Sequence, residues 1–302
     1  MIYTITLNPA WDLTYLVPSL GLGLNRAYAC AGKAGGKGIN VSRAILRRGG
    51  RCVTLAALAG ETGQTIAGAL ASEGISPVVF AGEGNTRTNI SAIADDGTSL
   101  EINGPGAALA ADTFGAMLSY LREKLHAGDI LCLCGSLPPY TGENGKLYTQ
   151  LCALAGEKGA FAALDCSGAA LLDALDCPYP PTLIKPNAAE LVDLCRRRGV
   201  DVPDVEKANV DPAVLREMAA QAVDLSKTAV LCTLGSRGAV WIEDKPETVF
   251  VPAEKVERAK AEKGAGDTYL GVFLWHRFGL REDVAVAMAA ASHAAAALVE
   301  GN

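Results

Sequence analysis

Short apolar runs punctuate the chain: YTITL (3–7), CVTLAALA (52–59), DILCLCG (129–135), AFAALD (160–165), TLIKPN (182–187) and AVLCTLG (229–235). Each is of strand length, and most are apolar on both faces. Helical patterns separate them, among them ADTFGAMLSYLREKLHAG (111–128) and DPAVLREMAAQAVDLSK (211–227). This alternation predicts an α/β fold, a mainly parallel sheet covered by helices on both sides. Ligands in such folds bind in the loops at the carboxyl ends of the strands.

Two segments break the rhythm. Residues 13–33 and 85–104 are rich in Thr, Asn and Gly and carry no convincing helical pattern. In the second, Asp95-Asp96-Gly97 separates two alternating stretches, which is a hairpin signal. Loops of about 20 residues without structure are uncommon in compact domains, so the two are expected to form a small β-sheet lid over the edge of the main sheet. No linker, repeat or low-complexity tract interrupts the 302 residues, which read as a single domain, 1–302.

The net charge of −6 argues against a general nucleic-acid binder, which would cluster Lys and Arg, but it leaves room for a small anion in a local pocket. The nine cysteines are odd in number and irregularly spaced, with no C-x-x-C, and the three histidines lie far apart in sequence. They read as small buried hydrophobes in a reducing compartment, not as a zinc site. The N-terminus lacks a positive n-region and reaches an acid at Asp12, unlike a signal peptide. AVAMAAASHAAAALV (285–299) is too short for a membrane span and reads as a packed helix. A cytoplasmic protein that engages neither membrane nor nucleic acid is expected.

Two glycine-rich loops carry the chemistry. GKAGGKGIN (32–40) fails as a P-loop, because three residues separate Gly32 from Gly36 and Gly38, not a hydroxyl, follows Lys37. GLGLNR (21–26) and GAGDTY (264–269) both lack the third glycine of a dinucleotide fingerprint. Gly35, Gly36 and Gly38 could simply form a turn before a helix. Alternatively, bare backbone N–H groups and Lys37 at that helix start make an anion site. In KGAGDTYLGVFLW (263–275), the N–H groups of a helix start converge behind Gly264, Ala265 and Gly266 and can neutralise developing negative charge. Asp267 fits either a helix cap or a catalytic base. Capping does not require the glycine pair, whereas close approach of a ligand does.

Taken together, these loops resemble the two signatures of the PfkB (ribokinase-like) sugar kinases: AGGKGINVSRAI (34–45) the first and KGAGDTYLGVFL (263–274) the second. GSLPP (135–139), IKPNAAEL (184–191) and TLGSRGAV (233–240) resemble the intervening motifs in order, and the similarity runs from Met1 to about residue 300. TLNPAWDLTY (6–15) and TRTNISAIADDGTSLEINGPG (86–106) resemble the 1-phosphofructokinase and tagatose-6-phosphate kinase branch.

The resemblance implies a ribokinase-like three-layer sandwich and ATP-dependent phosphorylation of a phosphorylated ketohexose, with Mg²⁺ as cofactor. The first reading is fructose 1-phosphate; tagatose 6-phosphate, fructose 6-phosphate or an unphosphorylated sugar are the alternatives, and a catalytically silent sugar-phosphate sensor is the competing class. By this resemblance Asp12, Gly36 and Asn40 would bind sugar hydroxyls, and Arg26, Lys37, Arg87 and Ser136 would surround the substrate phosphate. Asp267 would be the base, with Gly264, Ala265 and Gly266 forming the anion hole. Lys185, Asn187, Thr233, Gly235, Gly238 and His293 would line the nucleotide site, and Asn187 and Glu190 would hold Mg²⁺ through water. A homodimer through the lid is implied as well. Lys263 departs from the family pattern, which has a small, hydroxylated or β-branched residue there.

Overall fold

The computed structural model describes residues 1–202, 211–257 and 263–301. At the centre of its main sheet, β1 (Ile2–Thr6) pairs in parallel with β4 (Cys52–Leu58) on one side and β8 (Ile130–Cys134) on the other. β5 (Val78–Ala81) continues the first side, and β9 (Phe161–Asp165), β10 (Leu183–Ile184) and β11 (Ala229–Thr233) continue the second, all in parallel. Antiparallel β12 (Ala239–Ile242) and β13 (Val249–Val251) complete that edge. Each apolar run of the sequence contains one of the parallel strands.

Helices cover both faces, because the strands present apolar side chains both ways. In β8, Leu131 and Leu133 enter the core beneath α3 (Ala111–Lys124), α4 (Leu147–Lys158), α5 (Ala169–Leu175), α6 (Ala188–Arg197) and α7 (Pro212–Ala222). Ile130, Cys132 and Cys134 point the other way, beneath α1 (Lys37–Arg47), α8 (Ala265–Leu274) and α9 (Val284–Glu300). The Cys132 and Cys134 sulfurs, two residues apart on one strand face, lie 3.4 Å from each other, and both residues are buried. α2 (Gly60–Ser72) packs Ile66 and Leu70 against Ile39 and Leu58. Among the described residues no helix is long and apolar enough to cross a membrane.

α1 lies unusually close to the sheet. Its Ser42 hydroxyl meets Thr4 at 2.6 Å and Thr54 at 2.8 Å, and a Cβ added at Gly38 would sit 2.5 Å from Thr6 Oγ1. These small residues hold the start of α1 over the carboxyl end of β1. Strand order runs outward in both directions from β1 and β8, so the crevice between their carboxyl ends is the topological switch point of the sheet.

The two irregular segments form a separate four-stranded sheet of order β3–β2–β6–β7: β2 (Ala10–Val17), β3 (Ala29–Gly35), β6 (Arg87–Ala94) and β7 (Ser99–Asn103). β2 pairs in parallel with β6, and the outer pairs are antiparallel. The hairpin turns at Gly97, whose φ of 87° suits glycine. The lid begins at Ala10, three residues before the expected segment, which brings Asp12 onto the sheet itself.

Candidate active site

α1 and α8 begin with the same device. Their first turns follow Gly36 (φ 132°) and Gly264 (φ 92°), and neither helix has a side-chain cap. The leading N–H groups thus have no side-chain acceptor, and the helix dipoles favour an anion there. The two starts are tied together by one hydrogen bond, Asn40 Nδ2 donating to Asp267 Oδ2 at 2.8 Å.

Behind them sits a carboxylate that the motif reading did not single out. Asp165 ends β9, is 1 % exposed, and receives Lys37 Nζ at 2.9 Å on one oxygen and Lys185 Nζ at 3.1 Å on the other. Burial works to raise its pKa, but Lys185 and Lys37 outweigh burial and hold it below the usual value. Burial opposes the charge on each lysine, yet Asp165 keeps both raised. Lys185 Nζ lies 3.5 Å from where a Cβ on Gly266 would stand, so the pair of cations flanks the α8 start. Asp267 has the opposite fate. Burial, and then the negative charge of Asp165, push its pKa up to about 6, against the Asn40 hydrogen bond and the two lysines.

A second cluster of polar groups is built on the small sheet and the switch point. Arg87, at the start of β6, donates to the Asn8 carbonyl at 2.9 Å and the Gly104 carbonyl at 3.2 Å, and reaches Ser136 Oγ at 3.5 Å. Asn8 donates to Ser136 Oγ at 3.2 Å. Among the described residues no carboxylate forms an ion pair with Arg87, its Nε is buried without a partner, and desolvation lowers its pKa. Asp12 is held by Asn89 Nδ2 at 2.8 Å and lines a cavity of about 670 Å³ together with Asn40, Gly264 and His293.

On the far side of the α8 start, Asn187 and Glu190 form a reciprocal capping box at the N-terminus of α6, with both bonds 2.8 Å. Thr233 bridges to Asn187. Gly235 and Gly238 shape the turn after β11; Gly238 has φ 119° and abuts the Val251 carbonyl. His293 bonds the Glu254 carboxylate at 3.0 Å. Lys263 points toward Glu101 of the lid at 3.9 Å, and the residues just before it lie outside the described residues.

The structure therefore brings together Lys37, Asn40, Lys185, Gly264, Gly266 and Asp267, and, as a second group, Arg87 with Ser136. Lys37 falls in the first group, on Asp165, although the resemblance assigns it to the substrate phosphate. Arg26 lies in an exposed stretch of the lid, where it makes no hydrogen bond or ion pair among the described residues. Asp165 did carry a signal: an acid closing an apolar run, at the carboxyl end of a predicted parallel strand.

The raised Asp267 pKa has a consequence for stability. Its ionisation is easier in the unfolded chain, near 3.8, than in the folded one, near 6. This carboxyl therefore favours the fold fully below about pH 3.8, and that contribution is lost as pH rises through about 6. Asp267→Asn, which cannot ionise, should be more stable than the wild type by about 1–3 kcal/mol at pH 8 and no more stable at pH 4. Urea unfolding at the two pH values measures this; equal differences at both would place Asp267 in an ordinary environment.

Residues 11–301 match the pfkB family of carbohydrate kinases. Among solved structures, phosphofructokinase-2 from Escherichia coli in complex with fructose-6-phosphate superposes with a TM-score of 0.84 at 29 % identity, covering 99 % of this chain and 93 % of that one. A possible 1-phosphofructokinase from Thermotoga maritima gives 0.76 at 22 % identity, with 99 % and 92 % covered. Ribokinase from Cryptococcus neoformans var. grubii in complex with ADP gives 0.75 at 19 %, with 100 % and 94 % covered. These last two share the fold. With a family match spanning both glycine loops, the small sheet and the strand ends between them, the chain belongs to the pfkB family of carbohydrate kinases, which are phosphotransferases.

Proposed function

We propose that this kinase transfers the γ-phosphoryl group of ATP to a hydroxyl of an already phosphorylated ketohexose, with fructose 1-phosphate the first choice of acceptor. The observation that carries this reading is Arg87. A half-buried guanidinium that among the described residues forms no ion pair, bonds only neutral acceptors and feels only the charge of Asp12 leaves a place for the anion of a ligand. A sugar phosphate does so through charge-assisted hydrogen bonds, whereas a neutral sugar would leave the charge unanswered.

The remaining groups divide the work. Asp267, ionised above its pKa of about 6, takes the proton of the attacking hydroxyl. The uncapped N–H groups at Gly264, Ala265 and Gly266 and the Lys37–Lys185 pair face the negative charge that spreads over the phosphoryl group in flight. Asp12 orients sugar hydroxyls from the lid. Asn187 and Glu190 spend one oxygen each on the capping box, which leaves the second Glu190 oxygen available. Among the described residues no three His, Cys, Asp or Glu side chains cluster as a cage. That donor set fits Mg²⁺ arriving with the nucleotide and touched through water, the manner of an ion that keeps its hydration shell; bound there, it would neutralise charge on the phosphates.

Fructose 6-phosphate is the second reading, supported by the Escherichia coli relative bound to that sugar. Either acceptor yields fructose 1,6-bisphosphate, so product identity does not separate them. ADP release with Mg-ATP across fructose 1-phosphate, fructose 6-phosphate, tagatose 6-phosphate, fructose and ribose does. Turnover on one phosphorylated ketose is expected. Arg87→Ala should raise KM for that sugar about 10- to 100-fold and leave KM for ATP nearly unchanged, and Asp267→Asn should lower kcat by about 10²–10⁴. Preference for a free sugar would refute the reading of Arg87.

The lid also supports association with a second copy of the chain. Leu22, Leu24 and Tyr28 are exposed on it, as are Leu100 and Ile102 on one face of the edge strand β7. Apolar residues at an open sheet edge invite pairing. Sedimentation equilibrium should give a dimer that Leu100→Asp/Ile102→Asp weakens; a wild-type monomer would end this proposal.

A further inference from the structure

One buried cation near the site has no part in the reaction described above. Arg43, on α1, is 5 % exposed and lines the same cavity as Asp12, Asn40 and Gly264. Each of its three nitrogens donates one hydrogen bond. Nη1 donates to Asn40 Oδ1 at 2.8 Å, Nη2 donates to Glu73 Oε1 at 2.8 Å, and Nε donates to the other Glu73 oxygen. Glu73 is the C-cap residue of α2 and is partly open to solvent. Asn40 in turn donates from Nδ2 to Asp267 Oδ2. A continuous chain of hydrogen bonds thus runs from the end of α2 through α1 to the carboxylate at the start of α8.

We propose that Arg43 is a positioning residue for Asp267, acting through Asn40, with Glu73 as its anchor; this rests on the reading of Asp267 as the base. The argument is one of donor and acceptor identity. A guanidinium only donates, so Arg43 can face only the oxygen end of the Asn40 amide. That leaves the NH₂ end, and no other, for Asp267. Without Arg43 the two ends of the amide are nearly equal in shape, and the oxygen can turn toward Asp267. An ionised carboxylate facing a carbonyl oxygen is repelled, whereas a protonated one donates to it. Losing Arg43 therefore favours the protonated, inactive base.

The bland alternative is an ion pair that merely clamps α1 to α2. Buried ion pairs return little net stability, because desolvation cancels much of the attraction. A clamp also would not need the third donor aimed at Asn40. The charges facing this region are Lys33 on β3, Asp12 on β2, Arg47 and Arg48 at the end of α1 and Glu73 around Arg43, Lys263 and His293 along the same cavity, and Asp165, Lys37 and Lys185 around Asp267. None of the others touches the Asn40 amide.

The test reads the base directly and needs no substrate. The side-chain carboxyl ¹³C resonances of aspartate-labelled protein are followed against pH, and Asp267 is assigned by its absence in Asp267→Asn. The wild-type midpoint is expected near 6. Arg43→Lys keeps the charge but loses the fork, and should raise the midpoint by about one pH unit, a tenfold change in acid dissociation. In an Asn40→Ala background the same substitution should move it no further. An unmoved midpoint in a folded Arg43→Lys protein overturns the proposal, as does an equal shift in the Asn40→Ala background, which would mark a direct charge effect. If Arg43→Lys does not fold, the paired Arg43→Met/Glu73→Leu variant, which strands no charge, carries the same two comparisons. Failure of the kinase reading would instead appear as silence of the wild type across the sugar panel, with the titration unaffected.

Discussion

Everything at this site depends on one carboxylate shared by two lysines. A phosphoryl-transfer centre needs concentrated positive charge, and here Lys37, Lys185 and the open starts of α1 and α8 all converge. Left alone, those charges would repel one another and resist burial. Asp165, sealed at the end of β9, holds both lysines charged and in place. Burial, joined by the same charge, makes Asp267 a weaker acid. The arrangement that concentrates positive charge at the helix starts also leaves Asp267 with a proton affinity nearer neutrality, which suits the role of general base proposed for it.

The fold supplies the geometry for this compromise. A parallel sheet collects its strand ends on one edge, and the reversal of strand order between β1 and β8 opens a crevice there. Small residues let α1 settle onto the sheet, so Asn40 meets Asp267 across the two helix starts. A side chain at Gly38 would push the helix outward and part that contact.

Much of this was legible in the chain. The apolar runs marked the parallel strands that are largely buried on both faces, and passed over the half-exposed β5. The hairpin at Asp95–Gly97 and the polar, helix-poor segments marked the lid. Gly36 and Gly264 announced the helix starts, since a left-handed conformation there is open to glycine and resisted by other residues. Pairings across the fold were not legible. Lys37 was visible as a cation in a loop, but its partner lies 128 residues away, and neighbouring sequence does not say which carboxylate it will meet. Arg43 and Glu73 likewise look like ordinary surface charges on two helices, and only the approach of α1 to α2 makes them a pair. Asn187 and Glu190 show the reverse: their spacing spells a capping box as clearly as a metal contact, and the structure forms the box.

The parallel pairing of β2 with β6 carries an implication for what can fit. Ala10 is in register with Arg87 and Asp12 with Asn89, so the backbone positions of Arg87 and Asp12 stand two residues apart along paired strands. That is about 7 Å of backbone, fixed by hydrogen-bonded register and indifferent to loop motion. The small sheet works as a ruler: any two groups that Arg87 and Asp12 held at once would have to lie within reach of backbone positions that this register sets.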